Sequence, residues 1–124
     1  MLYAILCYND ENAVGAWSAE EDAIVMRDLA AVQEKLAKAG KLGPVARLLP
    51  TTSATTLRKG AGEPLVIDGP FAETKEQFLG FFVVDCMSLE EAIDAARDLA
   101  RANPGMGSYE IRPIALYKPS ELPT

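Results

Sequence analysis

The feature of this sequence that most restricts its fold is an apolar strand-like run followed by a capped helix, which occurs twice. Residues 2–8 form a continuous apolar run with aromatic and β-branched members, and residues 78–86 form a second, strongly apolar run, as expected for buried strands. After each run a serine is followed three residues later by a glutamate, at Ser18–Glu21 and at Ser88–Glu91. This spacing is typical of a capping box that begins a helix. The sequence therefore predicts two β-α units.

Each unit has an apolar face at helical spacing. The first helix is predicted over about 19–39, with Gly40 as its C-cap, and the second ends near Ala102. The residues predicted to point inward are Val25, Leu29, Val32 and Leu36 in the first helix, and Leu89, Ile93, Ala96 and Ala100 in the second.

Further strands are predicted between and after these units, at 42–49, 54–58, 64–67 and 108–117. The order β-α-β-(β-β)-β-α-β indicates an α+β, ferredoxin-like split βαβ fold, an antiparallel sheet with two helices on one face. A chain of 124 residues fits one domain, predicted over 1–117. Residues 118–124 are predicted to be a polar, proline-containing C-terminal tail.

The sheet is predicted to be apolar on both faces, because Phe81-Phe82-Val83-Val84 offers apolar side chains to each. A sheet of this kind needs a cover on both sides, and the helices supply only one. We therefore expect a homodimer in which two copies pack sheet to sheet.

Charge and composition exclude several classes of function. The chain has 18 acidic and 12 basic residues, a net charge of −6, and no cluster of basic residues. Such a chain is a poor nucleic-acid binder, since Lys and Arg supply most affinity for the phosphate backbone. The absence of histidine excludes His-based catalysis and His ligation of a metal within this chain. We expect no metal and no cofactor.

The two cysteines, Cys7 and Cys86, each lie in an apolar run and are interpreted as reduced core thiols of a cytoplasmic protein. The first residues are apolar but lack the basic start of a signal peptide. No stretch approaches the length needed to span a bilayer, so no membrane association is expected.

The segment Asp68–Glu76, DGPFAETKE, is the candidate functional site. In one interpretation Asp68 is a general acid or base with a raised pKa, beside Arg58 and Lys75, which bind an anionic substrate. In the other, Asp68 accepts backbone N–H groups of its own turn and Arg58 closes an ion pair that holds the loop. The candidate ligand-binding residues are Arg58, Phe71, Glu73, Lys75 and Tyr8. For Tyr8, a place in the core or at the dimer interface is the alternative.

The DGPFAETKE segment resembles the signature of one branch of the YCII-related family. Similar stretches occur at 3–6, 8–11, 54–58, 80–86 and 110–113, so the resemblance spans nearly the whole chain. It implies a ferredoxin-like subunit of a dimeric α+β barrel with a cleft between helices, sheet and partner. Members of this branch are often encoded beside extracytoplasmic-function sigma factors. A His-Asp pair proposed as catalytic in some relatives has no counterpart here, because histidine is absent.

Three functions follow as hypotheses. The first is a dimeric protein that binds a small molecule in a cleft near Asp68, Arg58 and Phe71. The second is a cofactor-free lyase, isomerase or hydrolase with Asp68 as general base. The third is an accessory protein in sigma-factor-linked transcription regulation, with a regulatory protein as partner.

Overall fold

The computed structural model describes residues 1–123. The strands are β1 (Leu2–Asn9), β2 (Leu42–Arg47), β3 (Thr55–Arg58), β4 (Leu65–Asp68), β5 (Gln77–Asp85) and β6 (Ser108–Pro113); the helices are α1 (Glu11–Gly15), α2 (Ala19–Lys38) and α3 (Leu89–Ala102). A 3-10 turn covers Thr51–Ser53. Four strands form an antiparallel sheet in the order β2-β5-β1-β6, and β3 and β4 form a separate hairpin. The α+β, ferredoxin-like arrangement is confirmed, with α1 as an added element.

The core lies between one face of the sheet and the two long helices. Alternate residues of β1 are buried, and among them Tyr3 and Ile5 face the helices together with Phe82 and Val84 of β5. The remaining buried members of this cluster are Leu36, Cys86, Ala92, Ala95, Ala96 and Leu99. Both cysteines are free and buried.

Helix α2 begins and packs as predicted. Ser18 Oγ accepts a hydrogen bond from the Glu21 N–H at 3.0 Å, and the Glu21 carboxylate accepts from the Ser18 N–H at 3.0 Å. These bonds favour the ionised form and hold the pKa of Glu21 below its usual value. Val25 and Leu36 are buried, and Leu29 and Val32 pack partly buried against the core.

The predicted inward face of α3 is wrong in part. The buried residues are Ala92, Ala95, Ala96 and Leu99. Leu89 is 50% exposed and Ala100 is also exposed. The predicted inward face follows from the positions of the large residues Leu89 and Ile93. The helix instead turns its small alanines toward the core, where they permit close packing.

The capping box of α3 is formed only in half. Ser88 Oγ accepts from the Glu91 N–H at 3.2 Å, but the Glu91 carboxylate accepts from the Met87 N–H instead of that of Ser88. The same carboxylate lies 2.6 Å from Lys41 Nζ. The hydrogen bond from Lys41 lowers the pKa of Glu91 below its usual value.

Several predicted boundaries shift. Strand β2 ends at Arg47 rather than at 49, and β6 ends at Pro113 rather than at 117. One further bond to β1 follows, since the Ile114 N–H donates to the Leu2 carbonyl at 2.9 Å. Helix α1 was not predicted; it begins where the Asp10 side chain accepts from the Asn12 N–H. The predicted tail, 118–124, runs one residue beyond those described. None of the helices within residues 1–123 has the length and apolarity to cross a membrane.

The β3–β4 hairpin stands apart from the core. Both strands consist almost wholly of exposed residues, and Val66 is 71% exposed. Beyond their mutual pairing, β3 and β4 make few contacts with other helices or strands. The loop 69–76 then leads from β4 back to the sheet at β5.

Candidate functional site

Most of the predicted site residues lie on the hairpin and the loop that follows it. Asp68 pairs with Thr55 at the end of β4, and Arg58 Nη2 donates to the Phe71 carbonyl at 3.3 Å. Asp68, Arg58, Phe71, Glu73 and Lys75 are exposed, and Phe71 is 77% exposed. The fold thus keeps these residues in one region, with Arg58 fixed against the loop backbone.

The turn after Asp68 is held by backbone groups and a threonine hydroxyl, and not by the Asp68 carboxylate. The Gly69 N–H donates to the Ala54 carbonyl at 2.7 Å, and Thr56 Oγ1 donates to the Gly69 carbonyl at 2.8 Å. Gly69 has φ of 100°, a conformation that favours glycine. Across residues 1–123 the Asp68 carboxylate makes neither a hydrogen bond nor an ion pair within the chain. A catalytic role for Asp68 stays a prediction.

Tyr8 lies away from the hairpin, on the sheet face opposite the helices. Its ring centroid is 5.5 Å from that of Phe78, and its hydroxyl lies 3.4 Å from Glu110 Oε1. Within one copy of the chain, Tyr8 therefore does not share a single ligand site with the loop residues.

A cavity of about 90 Å³ opens between α2 and the helix-facing side of the sheet. Its apolar walls come from Val14 and Trp17 beside α1, from Val25, Met26 and Leu29 of α2, and from Val45, Leu79 and Phe82 of the sheet. A cavity volume of roughly 10–15 Å³ holds one water molecule, so this cavity has room for several waters or for a small organic group. It is open to solvent, so a longer molecule can place part of its chain inside and leave the rest at the surface.

A β-bulge shapes the sheet wall of this cavity. The register of β1 against β5 shifts between Cys7, which pairs with Gly80, and Tyr8, which pairs with Phe78. Leu79 is therefore the extra residue, and both Leu79 and Gly80 line the cavity. A Cβ at position 80 would collide with the Ala46 carbonyl oxygen of β2, so only glycine fits this approach of the strands.

The inner end of the cavity is polar but uncharged. Cys7 and Tyr109 lie opposite each other in the β1–β6 pairing, and Asn103 Nδ2 donates to Tyr109 Oη at 2.9 Å and approaches Cys7 Sγ at 3.9 Å. Burial raises the pKa of Tyr109 to about 12 and raises the pKa of the Cys7 thiol. Both groups therefore stay protonated near neutral pH.

A second, smaller cavity of about 70 Å³ shares these three polar residues. Its other walls are Tyr8, Asn9, Ala100, Gly105, Met106 and Gly107. Gly107 has φ of 130°, and a Cβ there would lie 2.8 Å from the Tyr8 carbonyl oxygen. The loop after α3 therefore closes tightly on β1, and the three polar side chains form the partition between the two cavities.

Arg47, the last residue of β2, lines the larger cavity where it meets the surface. Its Nη2 lies 2.9 Å from Asp22 Oδ1 and its Nη1 lies 3.4 Å from Asp22 Oδ2. This bidentate pair joins β2 to the first turns of α2 beside the cavity.

The cavity lies at the end of the sheet from which the hairpin arises. The Leu48 N–H donates to the Leu79 carbonyl at 2.8 Å, just after β2. The segment between β2 and β5 carries the hairpin, and Glu11 of α1 contacts both of its ends. The Glu11 N–H donates to Gln77 Oε1, and the Glu11 carboxylate accepts from the Thr51 N–H. The DGPFAETKE loop and the cavity wall are thus consecutive parts of one segment.

This cavity is not predictable from the sequence patterns. Cys7 was assigned to the core, and the facing positions of Cys7 and Tyr109 depend on strand register, which apolar runs do not reveal. The available signal was Trp17, a large aromatic residue just before the cap of α2.

Comparison with known proteins shows the family of this chain. The model of the YCII-related domain family matches residues 1–118. An uncharacterised protein of Rhizobium meliloti (strain 1021) is 70% identical over 124 residues, which cover all of both chains. The chain belongs to the YCII-related family.

Proposed function

We propose that this YCII-related protein binds a small, largely apolar molecule in the cavity between α2 and the sheet. The observation that carries the proposal is the cavity itself, about 90 Å³ with mostly apolar walls and a few polar groups. Protein interiors are otherwise close-packed, and a pocket of this composition is typical of a small-molecule site.

The two ends of the cavity have different tasks in this proposal. Trp17 and Phe82 supply apolar and aromatic surface for the body of the ligand. At the inner end, the hydroxyl of Tyr109 and the amide of Asn103 are hydrogen-bonded to each other and present only neutral groups to the ligand.

The DGPFAETKE loop precedes the sheet wall of this site in the sequence, and we propose that the chain belongs to the DGPFAETKE branch because Asp68–Glu76 has that sequence. The loop continues directly into the bulged part of β5 that forms the sheet wall. Arg58 then serves to hold the loop against the hairpin, by its hydrogen bond to the Phe71 carbonyl.

We also propose that two copies associate through the open face of the sheet. Leu6 and Tyr8 of β1 and Phe78 and Phe81 of β5 give this face an apolar surface that no helix of the same copy covers. A contiguous apolar patch of this kind is typical of a protein interface.

The ligand proposal is tested by titration with octanol, a neutral amphipathic probe, followed by the fluorescence of Trp17, the one tryptophan of the chain. Val45→Phe places a larger side chain at the cavity wall, on a partly exposed strand position that tolerates aromatic residues. Val66→Phe is the matched control, the same substitution on the exposed hairpin.

We expect a saturable fluorescence change for the wild-type protein and for Val66→Phe. In Val45→Phe the dissociation constant should rise at least roughly fivefold, since the ligand loses part of its apolar contact. Absence of saturable binding in the wild-type protein, or equal binding by Val45→Phe, contradicts the proposal.

A further inference from the structure

We propose that the ligand is an apolar monocarboxylate, whose hydrocarbon body occupies the cavity and whose carboxylate binds Arg47. This inference rests on the proposed function and adds the chemical class of the ligand. Among the described residues that line the cavity, Arg47 is the single charged one. An anion that enters therefore meets a cation at the surface and no acidic lining residue.

The charge at this position is opposite to that of the whole molecule. The chain carries a net charge of −6, from 18 acidic and 12 basic residues. An acidic surface disfavours anions in general, so a cation at the rim of an apolar cavity gives that site a local preference for an anionic group.

The contact between Arg47 and Asp22 shows that the guanidinium is oriented for a carboxylate. Asp22 uses both of its oxygens, one to each terminal nitrogen of Arg47, at 2.9 and 3.4 Å. A guanidinium has five N–H donors, so three stay free, and two of them, on Nε and a terminal nitrogen, form an edge that can hold a second carboxylate. A ligand carboxylate can add to this edge or replace Asp22.

The Arg47–Asp22 pair is weak enough to be exchanged. The Arg47 side chain is 52% exposed and that of Asp22 is 36% exposed. Ion pairs at such exposure contribute little, because water screens them and two side chains must be held in one geometry. Asp22 consequently acts as an internal competitor that lowers the affinity of the site for the ligand.

The inner end restricts the ligand to one charge. Tyr109, Asn103 and Cys7 offer only neutral hydrogen-bonding groups there. A second carboxylate or an ammonium group would lose its water in the apolar cavity without an opposite charge to replace it. Dicarboxylates and amines should therefore bind more weakly than a monocarboxylate of the same length.

The test compares octanoate with octanol, which share a chain length and differ in charge. Binding is followed by Trp17 fluorescence in the wild-type protein, Arg47→Gln, Arg47→Lys and Asp22→Asn. Arg97→Gln is the matched control, because it also removes a positive charge that is paired with an acidic residue, Asp94. Arg97 lies on α3, outside the cavity lining.

We expect the wild-type protein and Arg97→Gln to bind octanoate several-fold more tightly than octanol. Arg47→Gln should weaken octanoate binding about threefold to fivefold and leave octanol unchanged, since only an exposed charge-assisted interaction is lost. Arg47→Lys should weaken it less, because an ammonium keeps the charge without the planar fork. Asp22→Asn should tighten it a few-fold.

Three other outcomes overturn this inference, and one of them also overturns the proposed function. Equal binding of octanoate and octanol, with no effect of Arg47→Gln, overturns this inference and leaves the proposed function intact. Binding of neither probe by the wild-type protein overturns both. An equal loss of octanoate binding in Arg97→Gln and Arg47→Gln also overturns the inference, because it reports net charge and not a site. If Arg47→Gln fails to fold, Arg47→Lys decides in the same way.

Discussion

Gly80 determines how closely β2 can approach β5 beside the cavity. Its absent side chain leaves space for the Ala46 carbonyl oxygen. Gly80→Ala forces the strands apart and should lower the free energy of unfolding by about 1–3 kcal/mol, the usual range for overpacking. Urea unfolding measures the change.

The matched control for Gly80 is Gly60→Ala, where an added Cβ meets nothing within 4 Å. This exposed substitution should change stability by less than about 0.5 kcal/mol. Equal stability of the two variants would show that the strands can separate without cost, and would contradict the close approach.

Tyr109 makes the stability of the protein depend on pH in the alkaline range. Its pKa is about 12 in the folded protein, against 10.0 for an ordinary tyrosine, because burial disfavours the phenolate. The folded state therefore holds the proton more tightly, so stability is full below pH 10 and falls as pH rises toward 12. The loss should be about 2 kcal/mol.

Urea unfolding at several pH values tests this dependence in the wild-type protein and in Tyr109→Phe. The variant lacks the phenol and should lose less stability between pH 10 and pH 12. Tyr117→Phe, which removes a partly exposed phenol, is the control and should follow the wild-type curve. Parallel curves for Tyr109→Phe and the wild-type protein would contradict a buried, protonated Tyr109.

At the scale of single elements, the cap of α2 should contribute measurably to stability. Ser18→Ala removes the hydroxyl that accepts from the Glu21 N–H and should cost about 1 kcal/mol. Ser53→Ala, at an exposed position of the 3-10 turn, should cost less than about 0.5 kcal/mol. Thermal unfolding compares the two, and equal midpoints would argue against the capping box.

The long helices show where sequence patterns determine an element and where they do not. In α2 the large residues Val25, Leu29 and Leu36 recur on one stripe and predict the buried face correctly. In α3 the large residues Leu89 and Ile93 suggest one face, while alanines occur on several. Packing against α2 and the sheet selects the alanine face, and this selection is a tertiary effect.

The candidate site was predictable only in part for a related reason. The DGPFAETKE segment is visible in the sequence, and its place after the hairpin follows from strand order. The cavity instead depends on a bulge at Leu79 and on the pairing of Cys7 with Tyr109. Both are matters of register, and a shift of one residue would turn these side chains to the other face.

At the scale of the whole molecule, the open sheet face predicts self-association. Phe78 lies on this face, is 36% exposed, and has its ring tilted at 47° to that of Tyr8. Phe78→Asp would place a charge in an apolar interface and should convert a dimer into a monomer. Leu116→Asp, an exposed leucine after β6, should leave the dimer intact.

Sedimentation velocity at micromolar concentration measures this directly. The proposal requires a dimer for the wild-type protein and for Leu116→Asp, and a monomer for Phe78→Asp. A monomeric wild-type protein would contradict sheet-to-sheet association, while the ligand site, which lies on the other side of the sheet, would not be affected.

The measurement that tests the central claim most directly is a two-dimensional amide NMR titration of the wild-type protein with octanol. Binding in the cavity predicts saturable shifts at Trp17, Leu29, Leu79 and Tyr109, with none at Val66 on the hairpin. Shifts confined to the open sheet face, or no saturable shifts at all, would contradict a ligand site between α2 and the sheet.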